Sequence, residues 1–210
     1  MSKACIKIHE LFNNMKKHNF PFKEEEIPIN GIYVLFEKGE LAHGTDRIVR
    51  IGTHTGNDQL RSRLKQHFIN ENKDRSIFRK NIGRAILTKN KDAFLKQWEL
   101  DLTPKEAREK YSKLIDFKKQ KEVEKKVTKY IQNDFSFVVF RVDDKNKRLA
   151  LESKIISTLS LCNQCKPSKN WLGLFSPKEK IRESGLWNVN ELYKEPLNHK
   201  DIKELKTMLR

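Results

Sequence analysis

Gly31-Ile32-Tyr33-Val34-Leu35-Phe36, then Arg50-Ile51-Gly52, then Leu60-Arg61-Ser62-Arg63-Leu64-Lys65-Gln66-His67-Phe68 is the stretch on which the fold turns. The first run is apolar and rich in β-branched and aromatic residues, entered through Asn30, so it reads as a strand. A second strand over 47–51 ends in glycine, and a loop holding Gly39 and Gly44 joins the two, for which a hairpin is the simple connection. In the third run Leu60, Leu64 and Phe68 fall at i, i+4 and i+8 and make one helical stripe. Arg63 and His67 lie on the flank of that stripe. A strand tyrosine, an arginine and a histidine can therefore face one small space.

Composition limits what such a space can serve. The chain has 210 residues, with 44 Lys+Arg against 28 Asp+Glu and a formal charge of +16. That length suits one well-buried domain with embellishments. The cationic excess favours a polyanionic partner, most commonly nucleic acid, because phosphate contacts release counterions. The alternative is a charge that only solvates the surface. No apolar run is long enough to span a membrane, and the first residues lack the apolar core of a secretory leader, so no membrane partner is expected. Three cysteines are too few, and odd in number, for a disulfide scaffold, which points to a reducing cytoplasmic setting. Cys162-Asn163-Gln164-Cys165 is a C-x-x-C without a second cysteine pair to close a metal site, and reads as a structural thiol pair.

Around the organising stretch the pattern is mixed. Residues 3–17 predict an amphipathic helix carrying Ile8, Leu11, Phe12 and Met15 on one side, and Lys23-Glu24-Glu25-Glu26 a solvated loop. Residues 76–87 predict a helix with Phe78, Ile82, Ala85 and Ile86 inward, beside which Arg79, Lys80 and Arg84 cluster as candidate DNA contacts. Residues 89–133 are helical and lysine-dense; Thr103 to Glu106 is a capping-box pattern. Lys118, Lys119, Lys125 and Lys126 are further candidate DNA contacts. Phe135–Val142 returns to strand, a helix follows over 147–161, Ser176 to Glu179 repeats the capping-box pattern with Gly185 as the stop, and 199–210 is a last helix. An α+β fold, a small β-sheet flanked by helices, is the simplest account.

Glu152 is the most informative single residue. Leu149, Ile156 and Leu159 mark the inward stripe of its helix, and Glu152 shares that stripe. A carboxylate there needs a partner, and periodicity alone leaves a divalent metal, water or an arginine equally open. Tyr33 on its own is as readily a core aromatic, Arg63 a solvated or DNA-contacting charge, and His67 a structural histidine.

Gly31-Ile32-Tyr33, Val49-Arg50-Ile51-Gly52 and Arg63-x-x-x-His67, in that order, resemble the start of a GIY-YIG nuclease domain, with Glu152 and Asn170 placed where that family carries a late glutamate and asparagine. The resemblance implies a single nuclease domain over 1–210, built as an N-terminal extension (1–29), a first catalytic half (30–88), an inserted helical arm (89–133), a second half (134–175) and a C-terminal extension (176–210). It implies Tyr33 as general base, Arg63 as the charge on the phosphoryl oxygens, His67 as a partner of Tyr33 or of the phosphate, and Glu152 as ligand of one Mg2+ or Mn2+. It implies Asn170 holding the tyrosine or the phosphate, with Asn163 as its rival. The departure is Arg50, which stands where the family usually has tyrosine; arginine cannot exchange protons at neutral pH but binds phosphate. The expected activity is metal-dependent hydrolysis of duplex DNA, in a restriction or defence role, with a homodimer allowed for. The alternatives are a DNA-binding protein on a decayed nuclease fold and a structure-specific nuclease.

Overall fold

The computed structural model describes residues 2–209. In chain order the elements are α1 (Ser2–Asn13), β1 (His18–Asn19), β2 (Gly31–Ala42), β3 (Thr45–Gly52), α2 (Leu60–Phe68), α3 (Ile77–Lys89), α4 (Leu95–Trp98), α5 (Lys105–Tyr111), α6 (Phe117–Asp134), β4 (Phe135–Arg141), α7 (Lys145–Ser160), α8 (Glu179–Ser184) and α9 (His199–Met208). The strands form one antiparallel sheet in the order β1-β4-β2-β3, flanked by helices, so the fold is α+β as expected.

Both faces of the sheet are covered, and the alternation along β2 divides them. Tyr33 and Leu35 join Val49, Phe135 and Phe137 in a core closed by α2, α3 and α6. Ile32, Val34 and Phe36 join Ile48, Val138 and Phe140 in a second core closed by α1, α7 and α9. The register Tyr33↔Gly52 and Leu35↔Arg50 puts Tyr33 and Arg50 on the same face.

Several local expectations need correcting. The strand expected to stop near residue 37 runs on to Ala42 through irregular pairing between Leu35 and Leu41, so Gly39 is in the strand and only His43-Gly44 turn. Both turn residues have positive φ, 53° and 75°, the backbone a tight hairpin needs. The first helix ends at Asn13, short of residue 17. Neither expected capping box forms: α5 and α8 start without a side-chain cap, at Pro104 and Lys178. Gly185 does end α8 in the left-handed region, at φ 69°.

Within segment 89–133, α5 has no buried residue while α6 packs inward. Val123, Val127 and Ile131 of α6 enter the core beside Tyr33. Buried Glu37 ties this layer together: its carboxylate accepts from Trp171 Nε1 and Trp187 Nε1, each at 2.8 Å, and from the Tyr130 hydroxyl. Three donors compensate the burial that raises its pKa. Among the described residues no helix is long and apolar enough to cross a membrane.

Candidate active site

Tyr33 points from β2 toward α2, and its hydroxyl lies 2.7 Å from His67 Nε2. His67 Nδ1 is in turn 2.8 Å from Ser76 Oγ, the N-cap of α3, which also accepts the Arg79 backbone N–H at 3.2 Å. Tyr33, His67 and Ser76 are all fully buried. Burial drives the His67 pKa well below the usual imidazole range, and the charges of Arg63, Arg50 and Arg79 push the same way. The ring is therefore neutral at pH 7, with one nitrogen donating and one accepting. Either the phenol donates to Nε2 while Nδ1–H donates to Ser76, or Ser76 donates to Nδ1 and Nε2–H points at the phenolic oxygen. Only the first state leaves Nε2 free to accept from the phenol.

The glycine ending β3 makes room for this. A Cβ on Gly52 would stand 2.1 Å from the Tyr33 hydroxyl oxygen, inside the contact distance of any real pair. Gly31 is required in the same way by its other neighbour, since a Cβ there would meet the Phe140 carbonyl oxygen at 2.1 Å.

Arg50 enters from β3 on the same face. Its Nη1 donates to the Trp187 carbonyl at 3.0 Å, its guanidinium stands 5.1 Å from the Phe78 ring centre, and its Nε is buried without a partner. An unmade buried donor costs free energy unless an acceptor arrives.

Beside these residues opens a cleft of about 510 Å³ lined by Thr53, His54, Thr55, Gln59, Ser62, Arg63, Gln66, Asp74, Arg75, Leu149 and Glu152. Burial pushes the Glu152 carboxyl up to about 7, opposed by Arg50, the Thr53 backbone and Arg63 and reinforced by Glu191. Arg63 Nη1 donates to Gln66 Oε1 at 3.0 Å and to the Arg75 carbonyl at 3.1 Å. Tyr33, Arg50, Arg63, His67 and Glu152 thus share one neighbourhood. Tyr33, Arg50 and His67 lie outside the cleft lining proper.

Asn170 is elsewhere. It is exposed in the turn before Trp171, at the Glu37–Glu40 end of β2, and does not line the cleft. Asn163 is exposed too. Another asparagine, Asn188, has a side chain that accepts from Ile51 N at 3.1 Å and donates to Ile51 O at 2.9 Å, pairing the outer edge of β3 beside Arg50. No local pattern marks it, because the contact spans 137 positions.

Three of the expected DNA contacts are corrected. Arg79 is fully buried; its guanidinium binds Glu124 (2.7 Å), Thr128 (2.7 Å) and the His67 carbonyl (3.0 Å). It holds α2, α3 and α6 together behind the histidine. Lys80 is buried against Asp74, and Arg84 is clamped by Glu99 and Asn81. The lysines of α6 fare differently: Lys118, Lys125 and Lys126 are exposed, while Lys119 pairs with Asp92 at 3.0 Å.

Two further residues shape the cleft. Arg148, at the start of α7 and 1% exposed, donates to the carbonyls of His54, Gly56, Val142 and Asp143. His54 takes the Gly31 N–H at 3.3 Å and contacts the Gly56 carbonyl at 2.7 Å. Together they set the 53–59 loop that forms one wall. An arginine in a first helical turn looks solvated in sequence, so neither role is legible there.

A family model described as GIY-YIG domain matches residues 6–210. The chain belongs to the GIY-YIG family. The domain is accordingly that of a GIY-YIG nuclease, with nucleic acid as its substrate class. Searches of curated proteins and of solved structures returned no match. Against the GIY-YIG pattern, the glycine of the second motif finds its physical reason in Tyr33, and Arg50 brings a buried cation to the same face.

Proposed function

We propose that the protein is a divalent-metal-dependent DNA endonuclease that hydrolyses phosphodiester bonds by in-line attack of water, in a restriction or defence role. The observation that carries this is the buried Tyr33–His67–Ser76 chain, with Arg50, next to a cleft lined by Arg63 and Glu152. Tyr33 is the general base, its hydroxyl held 2.7 Å from the neutral His67 imidazole and oriented by it. Arg63 and Arg50 bind the phosphoryl oxygens, Arg63 by leaving Gln66 and the Arg75 carbonyl, Arg50 through its unpartnered Nε. Because Tyr33 is fully buried, side chains at the cleft floor must part before a water reaches it.

The cation fits the donors present. Glu152 is one half-buried carboxyl whose ionisation is costly, and the cleft around it is polar and open enough to leave a magnesium ion most of its waters. Bound there, Mg2+ or Mn2+ supplies charge stabilisation on the phosphoryl oxygens.

Duplex DNA is the proposed substrate. A second groove of about 290 Å³ shares Asp74 and Arg75 with the cleft and takes Leu102, Thr103, Arg108 and Gln120 from segment 89–133. Arg75 and Arg108 at this groove and the exposed Lys118, Lys125 and Lys126 of α6 are the charges proposed to meet the phosphate backbone.

The burial of Tyr33 and the presence of Arg50 favour a second reading, a DNA-binding protein without cleavage. Incubating supercoiled plasmid with the protein and magnesium or manganese decides between them. Nicking or linearisation that chelator abolishes is expected; binding without cleavage in either metal would leave the second reading standing.

A further inference from the structure

A second cluster of chemically active side chains lies far from the cleft. Cys5 and His9, one turn apart on α1, His43 at the tip of the β2–β3 hairpin, and Cys165 beyond α7 each bring a ligand atom within 4.8 Å of the other three. Three are buried and His43 is half-buried. The donors come from three separate parts of the chain, so no sequence spacing announces them. The second half of the C-x-x-C finds its partners here.

The distances and the tautomer suit a metal. A tetrahedral zinc with bonds of about 2.3 Å to sulfur and 2.0–2.1 Å to nitrogen sets ligand-to-ligand edges of about 3.3–3.8 Å. Cys165 Sγ lies 3.6 Å from His9 Nε2, the length of such an edge, and all four ligand atoms lie within 4.8 Å of one another, close enough to draw onto one ion. His9 Nδ1 sits 2.9 Å from the Cys5 carbonyl, to which it can only donate. Nε2 is thereby the nitrogen with the lone pair, and a ring N–H on a backbone carbonyl is how metal-bound histidines are held. An ion would displace the Ile48 N–H contact to Nε2, at 3.2 Å, and the thiol contact of Cys165 to the same nitrogen. Two thiolates neutralise a divalent ion, so the filled site carries no net charge into the core.

We propose that Cys5, His9, His43 and Cys165 form a structural zinc site that ties α1 and the hairpin tip to the end of α7. It is independent of the nuclease reading. His43 is ten residues beyond Tyr33 along the hairpin, about 30 Å at 3.3 Å per residue, and its ligands are soft where the cleft offers a carboxylate. Cys162, whose Sγ is 3.7 Å from His43 Nε2, backs that ring and is not a ligand.

The test is the metal content of the full chain purified from zinc-supplemented cells. About one zinc per chain is expected, together with a fall in Tm on strong chelation that zinc restores and magnesium does not. Cobalt exchanged into the site should give the visible bands of a tetrahedral centre and charge transfer from two thiolates. Cys165→Ser should lose the metal and Cys162→Ser should keep it. Should Cys165→Ser fail to fold, the cobalt spectrum of the wild type still decides. Substoichiometric zinc with no tetrahedral cobalt spectrum overturns the site, and three-thiolate intensity, or loss of metal in Cys162→Ser, overturns this ligand set.

Discussion

The Tyr33 hydroxyl and His67 Nε2 are 2.7 Å apart, and neither side chain has any exposed surface. Tyr33→Phe keeps the ring packed and deletes the hydroxyl. Cleavage should fall by about two or more orders of magnitude. Stability should fall only by about 1–3 kcal/mol, the cost of leaving the imidazole nitrogen unpaired. Single-turnover cleavage beside a thermal melt separates the two effects. An active Tyr33→Phe would sink the proposed base and leave His67 in its place.

Gly52→Ala tests the same pair from the opposite strand. The new methyl would stand 2.1 Å from the Tyr33 oxygen, so the ring or the strand must shift. Overpacking of this kind costs about 1–3 kcal/mol. Cleavage should drop with DNA affinity nearly intact, and a variant as active as wild type would show that the ring position is not critical.

Basic residues divide into struts and DNA-facing charges, and binding measured against salt separates them. Lys118, Lys125 and Lys126 changed together to Gln should flatten the salt dependence of binding, by about 0.9 in the log–log slope for each phosphate no longer neutralised. Arg79→Met should leave that slope alone. It should instead destabilise by about 3–5 kcal/mol, since Glu124 stays buried without its partner. A slope that changes only in Arg79→Met would reverse the two roles.

Much of this architecture was legible because periodicity reports burial. Both hairpin strands and helices α2, α3, α7 and α9 follow from apolar spacing, and Tyr33, Arg63, His67 and Glu152 came with the resemblance. What escaped was pairing at long range. Arg79, Lys80 and Arg84 look like a basic patch until Glu124, Asp74 and Glu99 arrive from elsewhere in the chain. Asn188 and Arg148 act on backbone 137 and 94 positions away. Ser76 was visible as the start of a helix, yet its hydrogen bond to His67 depends on how α2 and α3 meet.

Glu152 carries a pH signature. Its folded pKa of about 7 is above the ordinary 4.5, so its stabilising contribution is fully present below pH 4.5 and is lost as pH rises through 7. Glu152→Gln should therefore be more stable than wild type at pH 8, on the order of 1–2 kcal/mol allowing for solvent near the half-buried carboxyl. At pH 4.5 the two should melt together. The same variant should not cleave yet still bind DNA. Parallel melting curves at both pH values would mean that the carboxyl is ionised without cost.

Arg50 is the residue on which the choice between nuclease and binder turns. Its charge opposes the rise in the Glu152 pKa, and its buried Nε waits for an acceptor. If it clamps the phosphate, Arg50→Tyr, which restores the usual family residue, should lower the cleavage rate by about 10²–10³, the range found for a lost transition-state donor. Losing that charge should also move the Glu152 transition above pH 7, which the pH dependence of Tm reports without any turnover. If the wild type does not cleave and Arg50→Tyr does, the arginine marks a site that has given up catalysis. A faster Arg50→Tyr in an active enzyme would remove the clamp from the mechanism. The Glu152 shift would then still measure the electrostatic contact alone.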